Sequence, residues 1–110
     1  MMTESIYVIA KLKLYTTENG GRRTPIHTGY RPNHVFEYKE NSKDFVMGYM
    51  GEINFDIDKI YPGETAKVEV NFLDIGSIKD FLTKGRTWWI HEGPRVIGKA
   101  TVLELILVED

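Results

Sequence analysis

The sequence contains no cysteine among its 110 residues, and this absence removes several classes of function. Without thiols there is no disulfide framework, no thiolate metal site and no cysteine nucleophile. A long apolar run is missing as well. The longest one, residues 102–108, is interrupted by Glu104 and is too short to cross a bilayer. No positively charged leader precedes the first apolar stretch, so we expect a soluble, cytoplasmic protein without membrane contact.

An excess of charge of one sign is also missing. The chain has 14 Lys and Arg and 16 Asp and Glu, which gives a formal net charge of -2. A domain that binds nucleic acid through its overall charge is usually strongly basic, so only a local basic patch stays open. No glycine-rich phosphate loop with its Lys and Ser or Thr is present, which excludes a GTPase and indicates no nucleotide or other cofactor.

The three histidines do not indicate a metal site or a catalytic site. His27, His34 and His91 have neither metal-ligand spacing nor a cysteine partner. No nucleophile motif and no paired acid and base accompany them. We therefore predict that they are surface or strand residues, that no residue is catalytic, and that the protein is not an enzyme.

Alternation of apolar and polar residues predicts a chain made almost entirely of β-strands. The predicted strands cover residues 6–15, 35–38, 45–50, 67–72, 87–91 and 96–108. Residues 77–82 could form one short helical turn at most. Six strands joined by short turns predict one all-β domain over residues 1–110, either an antiparallel barrel or a sandwich. Gly98 inside the last strand favours a barrel, because a glycine there often marks a tight bend.

The clearest alternations also predict the interior of this domain. The residues on their inward side are Val8, Leu12, Val68, Val70, Phe72 and Ile90. Trp88 and Trp89 are consecutive and point to opposite faces of their strand, so one of them belongs to the core. The other lies outside the barrel, either as an exposed anchor for a partner or covered by residues 77–84.

Four blocks of sequence carry a resemblance to a known family. They read GGRRTP at residues 20–25, GYRP at 29–32, YPGE followed by KVEV between 61 and 70, and IHEGPRVIG at 90–98. With these blocks in order, residues 6–105 resemble the C-terminal (third) β-barrel domain of bacterial elongation factor Tu. The resemblance implies a six-stranded closed antiparallel Greek-key barrel. In the full factor this domain contacts the T stem of aminoacyl-tRNA, packs against the GTPase domain and helps to dock the exchange factor.

The candidate residues for binding a partner come from the long loop after the first strand and from the last turn. They are Gly21, Arg22, Arg23, Arg31, Asn33, Glu92 and Gly93. Arginine forks suit phosphate oxygens, and the amides of residues 20 and 21 could add to an anion cradle. The alternative is that Arg22 or Arg31 is structural and holds the loop to Glu92 or to a backbone carbonyl.

Two of these candidates, Asn33 and Glu92, match family positions at the surface that meets the T stem. There Glu92 would accept a hydrogen bond from a ribose hydroxyl or a base edge. The alternative is that Glu92 is an ordinary residue of a hairpin turn.

These observations predict a free-standing binding module that resembles the third domain of elongation factor Tu and contacts tRNA or a protein of the translation machinery. The alternative is a protein-interaction module that has left translation or competes with the intact factor for its partners. The family's Thr-rich loop is missing between residues 38 and 45, which together with the mild acidity favours a protein partner. The apolar tail at 103–108 runs beyond the family's usual end, and its edge could pair with a second chain.

Overall fold

A computed structural model describes residues 5–40, 42, 44 and 47–108, without the side chains of residues 107 and 108. The described chain is built mainly of β-strands. These are β1 (Ser5–Leu14), β2 (Asn33–Val35), β3 (Tyr49–Asn54), β4 (Thr65–Leu73), β5 (Thr87–Glu92) and β6 (Arg95–Val108). A 3-10 turn at Thr17–Asn19 follows β1, and the short helix α1 (Ile78–Phe81) follows β4.

The six strands close into a barrel in the order β1-β4-β3-β2-β5-β6, with each neighbouring pair antiparallel. The prediction of an all-β, closed, six-stranded antiparallel barrel is confirmed. Gly98 lies in β6 opposite Leu14. A Cβ atom at Gly98 would stand 2.6 Å from the Lys13 carbonyl oxygen, so two strands approach there more closely than any side chain allows.

The predicted bounds hold for four strands and fail for two. β1, β4, β5 and β6 begin and end within two residues of the prediction, and α1 is the single helical turn expected. The structure moves the predicted strand 35–38 to Asn33–Val35 and the predicted strand 45–50 to Tyr49–Asn54; residues 45 and 46 lie outside the described part. Phe36 follows the end of the strand, and its ring is buried between Trp88 and Phe81, with centroids 5.2 Å away on both sides.

The predicted interior is confirmed. Val8, Leu12, Val68, Val70, Phe72 and Ile90 are each at most 3% exposed. Trp88 is the tryptophan of the core, as its complete burial shows. Trp89 is half-buried on the outside, where its ring meets Tyr38 edge-on at 5.4 Å. In the part of the chain that the structure describes, no helix is long and apolar enough to span a membrane.

Candidate macromolecular interface

The loop between β1 and β2 begins with a tight turn that only glycine can complete. The Thr16 hydroxyl accepts from the Asn19 N–H at 3.2 Å, and Gly20 adopts a φ of 90°. A Cβ atom on Gly21 would lie 2.1 Å from the Tyr15 carbonyl oxygen, so a side chain cannot be placed there. Gly21 is therefore fixed by the turn itself.

The same turn uses the amides that were predicted to cradle an anion. The Gly20 N–H donates to the Thr17 carbonyl at 3.1 Å, and the Gly21 N–H donates to the Thr16 carbonyl at 2.9 Å. Both donors are consumed inside the turn. The prediction of an anion cradle at these two amides is wrong, because a paired amide offers nothing to a phosphate.

Arg22 lies in a cluster with Tyr30 and Glu92, which are far from it in sequence. Its guanidinium forms an ion pair with the Glu92 carboxylate and sits over the Tyr30 ring, 5.1 Å from the centroid. The guanidinium also donates to the Thr24 carbonyl at 3.2 Å and to the Thr24 hydroxyl at 3.1 Å. The structure thus places Arg22 in the structural role considered above, with the loop held to Glu92 and to a backbone carbonyl.

The chemistry of Glu92 follows from this cluster. Burial by itself raises the pKa of Glu92, but the hydrogen bond from the Tyr30 hydroxyl and the charge of Arg22 outweigh it and hold that pKa below its usual value. Burial and the adjacent Glu92 carboxylate raise the pKa of the Tyr30 phenol. Arg95 adds a longer contact to Glu92 at 3.4 Å. Glu92 is therefore an ionised carboxylate whose hydrogen-bonding capacity is largely used within the protein.

Arg31 is held against β3 by an ion pair with Glu52. Its Nη2 and Nε atoms lie 2.7 Å and 3.0 Å from one carboxylate oxygen of Glu52 on β3. The Asn54 side chain donates to the other oxygen at 2.9 Å. Hydrogen bonds from Asn54 and Arg31 lower the pKa of Glu52. The Arg31 side chain nevertheless stays 70% exposed, so this ion pair is accessible from outside.

Arg23 differs from the other two arginines of the loop. It is exposed, and within the described residues it has no ion-pair partner. The three arginines therefore do not converge on one phosphate-facing patch. Arg22 is turned towards the β5–β6 turn, Arg31 lies against β3, and Arg23 alone keeps its charge for an external ligand.

Asn33 and Gly93 complete the set of predicted residues. Asn33 on β2 pairs with Met50 of β3 and with His91 of β5, and it is half-buried. Gly93 is exposed in the turn between β5 and β6 with a φ of 58°, a conformation that favours glycine. The structure brings Glu92 and Gly93 beside Arg22, with Asn33 on the adjacent strand, while Arg31 lies apart from them.

Histidine chemistry inside the barrel was missed by the sequence analysis. His34 is completely buried. The Trp88 Nε1–H donates to His34 Nδ1 at 2.9 Å, so the ring proton is on Nε2, which donates to the Gly51 carbonyl at 3.0 Å. Burial lowers the pKa of His34 to about 4. The available signal was that Val35 and Phe36 follow His34 in a short, largely apolar stretch.

His91 forms a second polar contact nearer the surface. Its Nε2 lies 2.6 Å from the Tyr38 hydroxyl, and its Nδ1 lies 3.3 Å from the Gly93 carbonyl. Burial lowers the pKa of His91. Tyr38 also contacts Trp89, so this corner of β5 is an aromatic cluster around a neutral imidazole. Phe81 from the 77–84 segment stacks on Phe36, whereas the ring partner of Trp89 is Tyr38.

A groove of about 300 Å³ lies at the start of β3 and the end of β4, next to Arg31. We call it the β3–β4 groove; its lining includes Arg31, Met50, Glu52, Asn71 and Leu73. Met50 is 63% exposed and Leu73 is 52% exposed. The Asn71 Oδ1 atom is buried and has no hydrogen-bond partner in the described structure. The groove thus combines apolar surface, an accessible ion pair and an unsatisfied acceptor.

Among the residues that the structure describes, no group of three His, Asp or Glu side chains is arranged to hold a metal ion. The sequence matches no protein-family model.

Proposed function

We propose that this chain is a binding module, related to the C-terminal barrel domain of elongation factor Tu, whose 110 residues hold no GTPase motif and which takes a protein of the translation machinery as its partner. The four sequence blocks support the relationship, and the closed six-stranded barrel is consistent with it. The β3–β4 groove is the observation that carries the choice of a protein partner.

The charges of the loop argue against RNA as the main partner. Binding to a nucleic-acid backbone depends on several cations that each meet a phosphate. Arg22 and Arg31 are instead neutralised by Glu92 and Glu52. A partner that approached this surface would meet two carboxylates beside the two arginines, and carboxylates repel phosphate.

The β3–β4 groove has the composition of a protein interface. Protein interfaces are enriched in Met and Arg and combine an apolar centre with polar contacts at the edge. Met50 and Leu73 supply the apolar centre, and the Arg31–Glu52 pair supplies the polar edge. The buried Asn71 acceptor provides a place for a donor from the partner. Such an acceptor is costly while unpaired, so a donor that reached it would stabilise the complex.

The test is capture from a bacterial lysate, with and without nuclease, followed by identification of the bound proteins. We expect a translation protein that is retained after nuclease treatment and lost from Met50→Lys. Tyr61→Lys is the matched control, because Tyr61 is 50% exposed and lies outside the groove. Capture that disappears with nuclease, or that Met50→Lys leaves unchanged, contradicts the proposal. Capture of a protein unrelated to translation supports the alternative of a module that has left translation.

Arg23 supports one second candidate, which is weak binding of tRNA. It is exposed and unpaired within the described residues, so it is available for a phosphate. One such contact supports salt-dependent binding without sequence preference, at best at the weak end of the range of about 10⁻⁴–10⁻⁶ M that is typical of non-specific binding. Titration of labelled tRNA at two salt concentrations should show a salt slope that falls by about 1 in Arg23→Ala. The slope should stay unchanged in Lys67→Ala, a matched loss of one exposed cation on β4. No binding at low salt contradicts this candidate.

A further inference from the structure

β6 continues well beyond the residues that pair with its neighbour β5. Thr101 is the last β6 residue that pairs with β5, opposite Thr87. One residue later, Val102 exchanges hydrogen bonds with residues 85 and 86, at 2.8 and 2.9 Å. From Leu103 to the end of β6, no other described segment pairs with this side, whereas β1 pairs with the opposite side as far as Val108. The barrel therefore has an open strand edge from Leu103 to the end of β6.

The main-chain direction along this edge follows from the pairing of β1 with β6. The Tyr15 N–H donates to the Ile97 carbonyl at 2.9 Å, so odd-numbered residues of β1 direct their main-chain groups towards β6. Tyr7 is paired with Ile106 in the same ladder, which means that Ile106 bonds to β1. Leu105, next to it, turns its N–H and C=O to the open side. An unpaired donor and acceptor at this position are a template for another strand.

The side chains of the edge do not protect it. Leu103, Leu105 and Ile106 are 38%, 37% and 42% exposed. Natural edges are usually blocked by Lys, Pro or inward-pointing charges. Between residues 103 and 106 the one charge is Glu104, and there is no proline. Apolar side chains on both faces of the strand would be covered if the sheet continued past β6.

We propose that β6 pairs antiparallel with β6 of a second copy of this chain, across a two-fold axis at Leu105. Main-chain groups at an open edge require an extended strand as the occupant, and β6 is itself an extended aliphatic strand with a matching open edge. Two-fold pairing uses both edges at once and leaves none to propagate, so assembly stops at a dimer.

The register at Leu105 also separates the charges. Leu105 of one copy lies opposite Leu105 of the other, and the two exchange the N–H and C=O groups that face the open side. Glu104 then lies opposite Ile106 of the second copy, so the two carboxylates are not paired with each other. Like charges directly opposite in a sheet are destabilising, and this register avoids that contact.

The test is sedimentation equilibrium of the intact chain and of two variants at the same position. Proline at residue 105 removes the outward N–H without removing a bond to β1, whereas Leu105→Ala shortens the side chain and keeps the N–H. We expect the natural chain to dimerise with a Kd below about 100 µM, and Leu105→Pro to dimerise at least about tenfold more weakly than Leu105→Ala. Ile106→Glu, which places a carboxylate opposite Glu104 of the second copy, should also weaken the dimer.

Thermal unfolding of each variant confirms that the folded barrel is compared throughout. A natural chain that stays monomeric above this concentration overturns the proposal. Equal dimerisation of Leu105→Pro and Leu105→Ala overturns it as well, because the main-chain bond would then play no part. If Leu105→Pro fails to fold, the decision rests on Ile106→Glu. An unchanged dimer in that variant is the contradicting result.

Discussion

The two sides of the barrel are held together by different means. On the side formed by β1, β4 and β6, which we call the ladder side, β1 pairs with β4 over nine residue pairs and with β6 over ten. On the side formed by β2, β3 and β5, the aromatic side, β2 contributes two pairs to β3 and three to β5. There the buried His34 ring meets the ring of Trp88 from β5 at 6.1 Å and that of Phe72 from the adjoining β4 at 4.9 Å, and Phe36 stacks on Trp88.

This difference separates two sources of stability in one small fold. The ladder side distributes its free energy over many main-chain bonds and aliphatic contacts, so it tolerates the loss of any one polar group. The aromatic side depends on a few specific contacts, above all those of His34. It should therefore be the side that responds to pH and to single polar substitutions. The β3–β4 groove lies where the two sides meet.

The largest effect should come from a charge placed in the middle of the ladder side. Val70 is 1% exposed and pairs with Val8 and Ile53. Val70→Asp would bury an unpaired carboxylate, which costs several kcal/mol and is comparable with the whole stability of a domain of this size. We expect circular dichroism to show an unfolded chain. Lys67→Asp, at an exposed position of the same strand, should melt cooperatively; a cooperatively melting Val70→Asp variant would show that the register is wrong.

The second-largest loss of stability should come from replacing His34 on the aromatic side. His34→Leu keeps an apolar side chain but leaves the Trp88 N–H and the Gly51 carbonyl without their partners. Buried groups left unsatisfied cost about 1–3 kcal/mol each. Urea unfolding should show a loss of about 3 kcal/mol. His27→Leu is the control, since His27 is exposed, and it should change the free energy of unfolding little. A loss below that of the control would mean that the network contributes no stability.

The pH dependence of stability gives a third test. The pKa of His34 is about 4 in the folded chain, against 6.5 for the free side chain. Between these values the unfolded chain binds the extra proton, so stability is lost as the pH falls from about 6.5 towards 4. The loss from His34 amounts to about 3 kcal/mol, with a smaller loss in the same direction from His91.

Urea unfolding at pH 7, 6 and 5 measures this slope. His34→Leu should flatten most of it and leave the part due to His91. The lowered pKa values of Glu52 and Glu92 add their own loss of stability only as the pH falls below their ordinary value of 4.5. A natural chain as stable at pH 5 as at pH 7 would contradict the burial of a neutral His34.

The smallest effect should come from the ion pairs of the loop. Glu92→Gln keeps the shape of the side chain but removes the charge that meets Arg22 and Tyr30. The carboxylate is partly buried, so the loss should be about 1 kcal/mol by urea unfolding. Glu52→Gln affects a more exposed pair and should change stability less. A larger loss from Glu52→Gln would reverse the structural roles assigned to Arg22 and Arg31.

Strand alternation was sufficient to predict the ladder side, because each long strand has one buried face and one wet face. It was insufficient for the aromatic side. β2 is three residues long, and Phe36 is placed by the rings around it and not by a ladder. No local pattern shows that His34 will meet Trp88, which is 54 positions away. The pairing of Arg22 with Glu92 was considered in advance, but the contribution of Tyr30 was not, since its contact with Glu92 spans 62 positions.

The central claim is that a protein partner binds the β3–β4 groove. Hydrogen–deuterium exchange of the chain, alone and bound to the captured protein, tests it most directly. We predict slower exchange in β3 (Tyr49–Asn54) and in the last residues of β4, which carry Met50, Asn71 and Leu73. The loop at residues 20–25 and the turn at 92–95 should be unchanged. Protection confined to that loop and turn, with β3 exchanging as in the free chain, would contradict the claim.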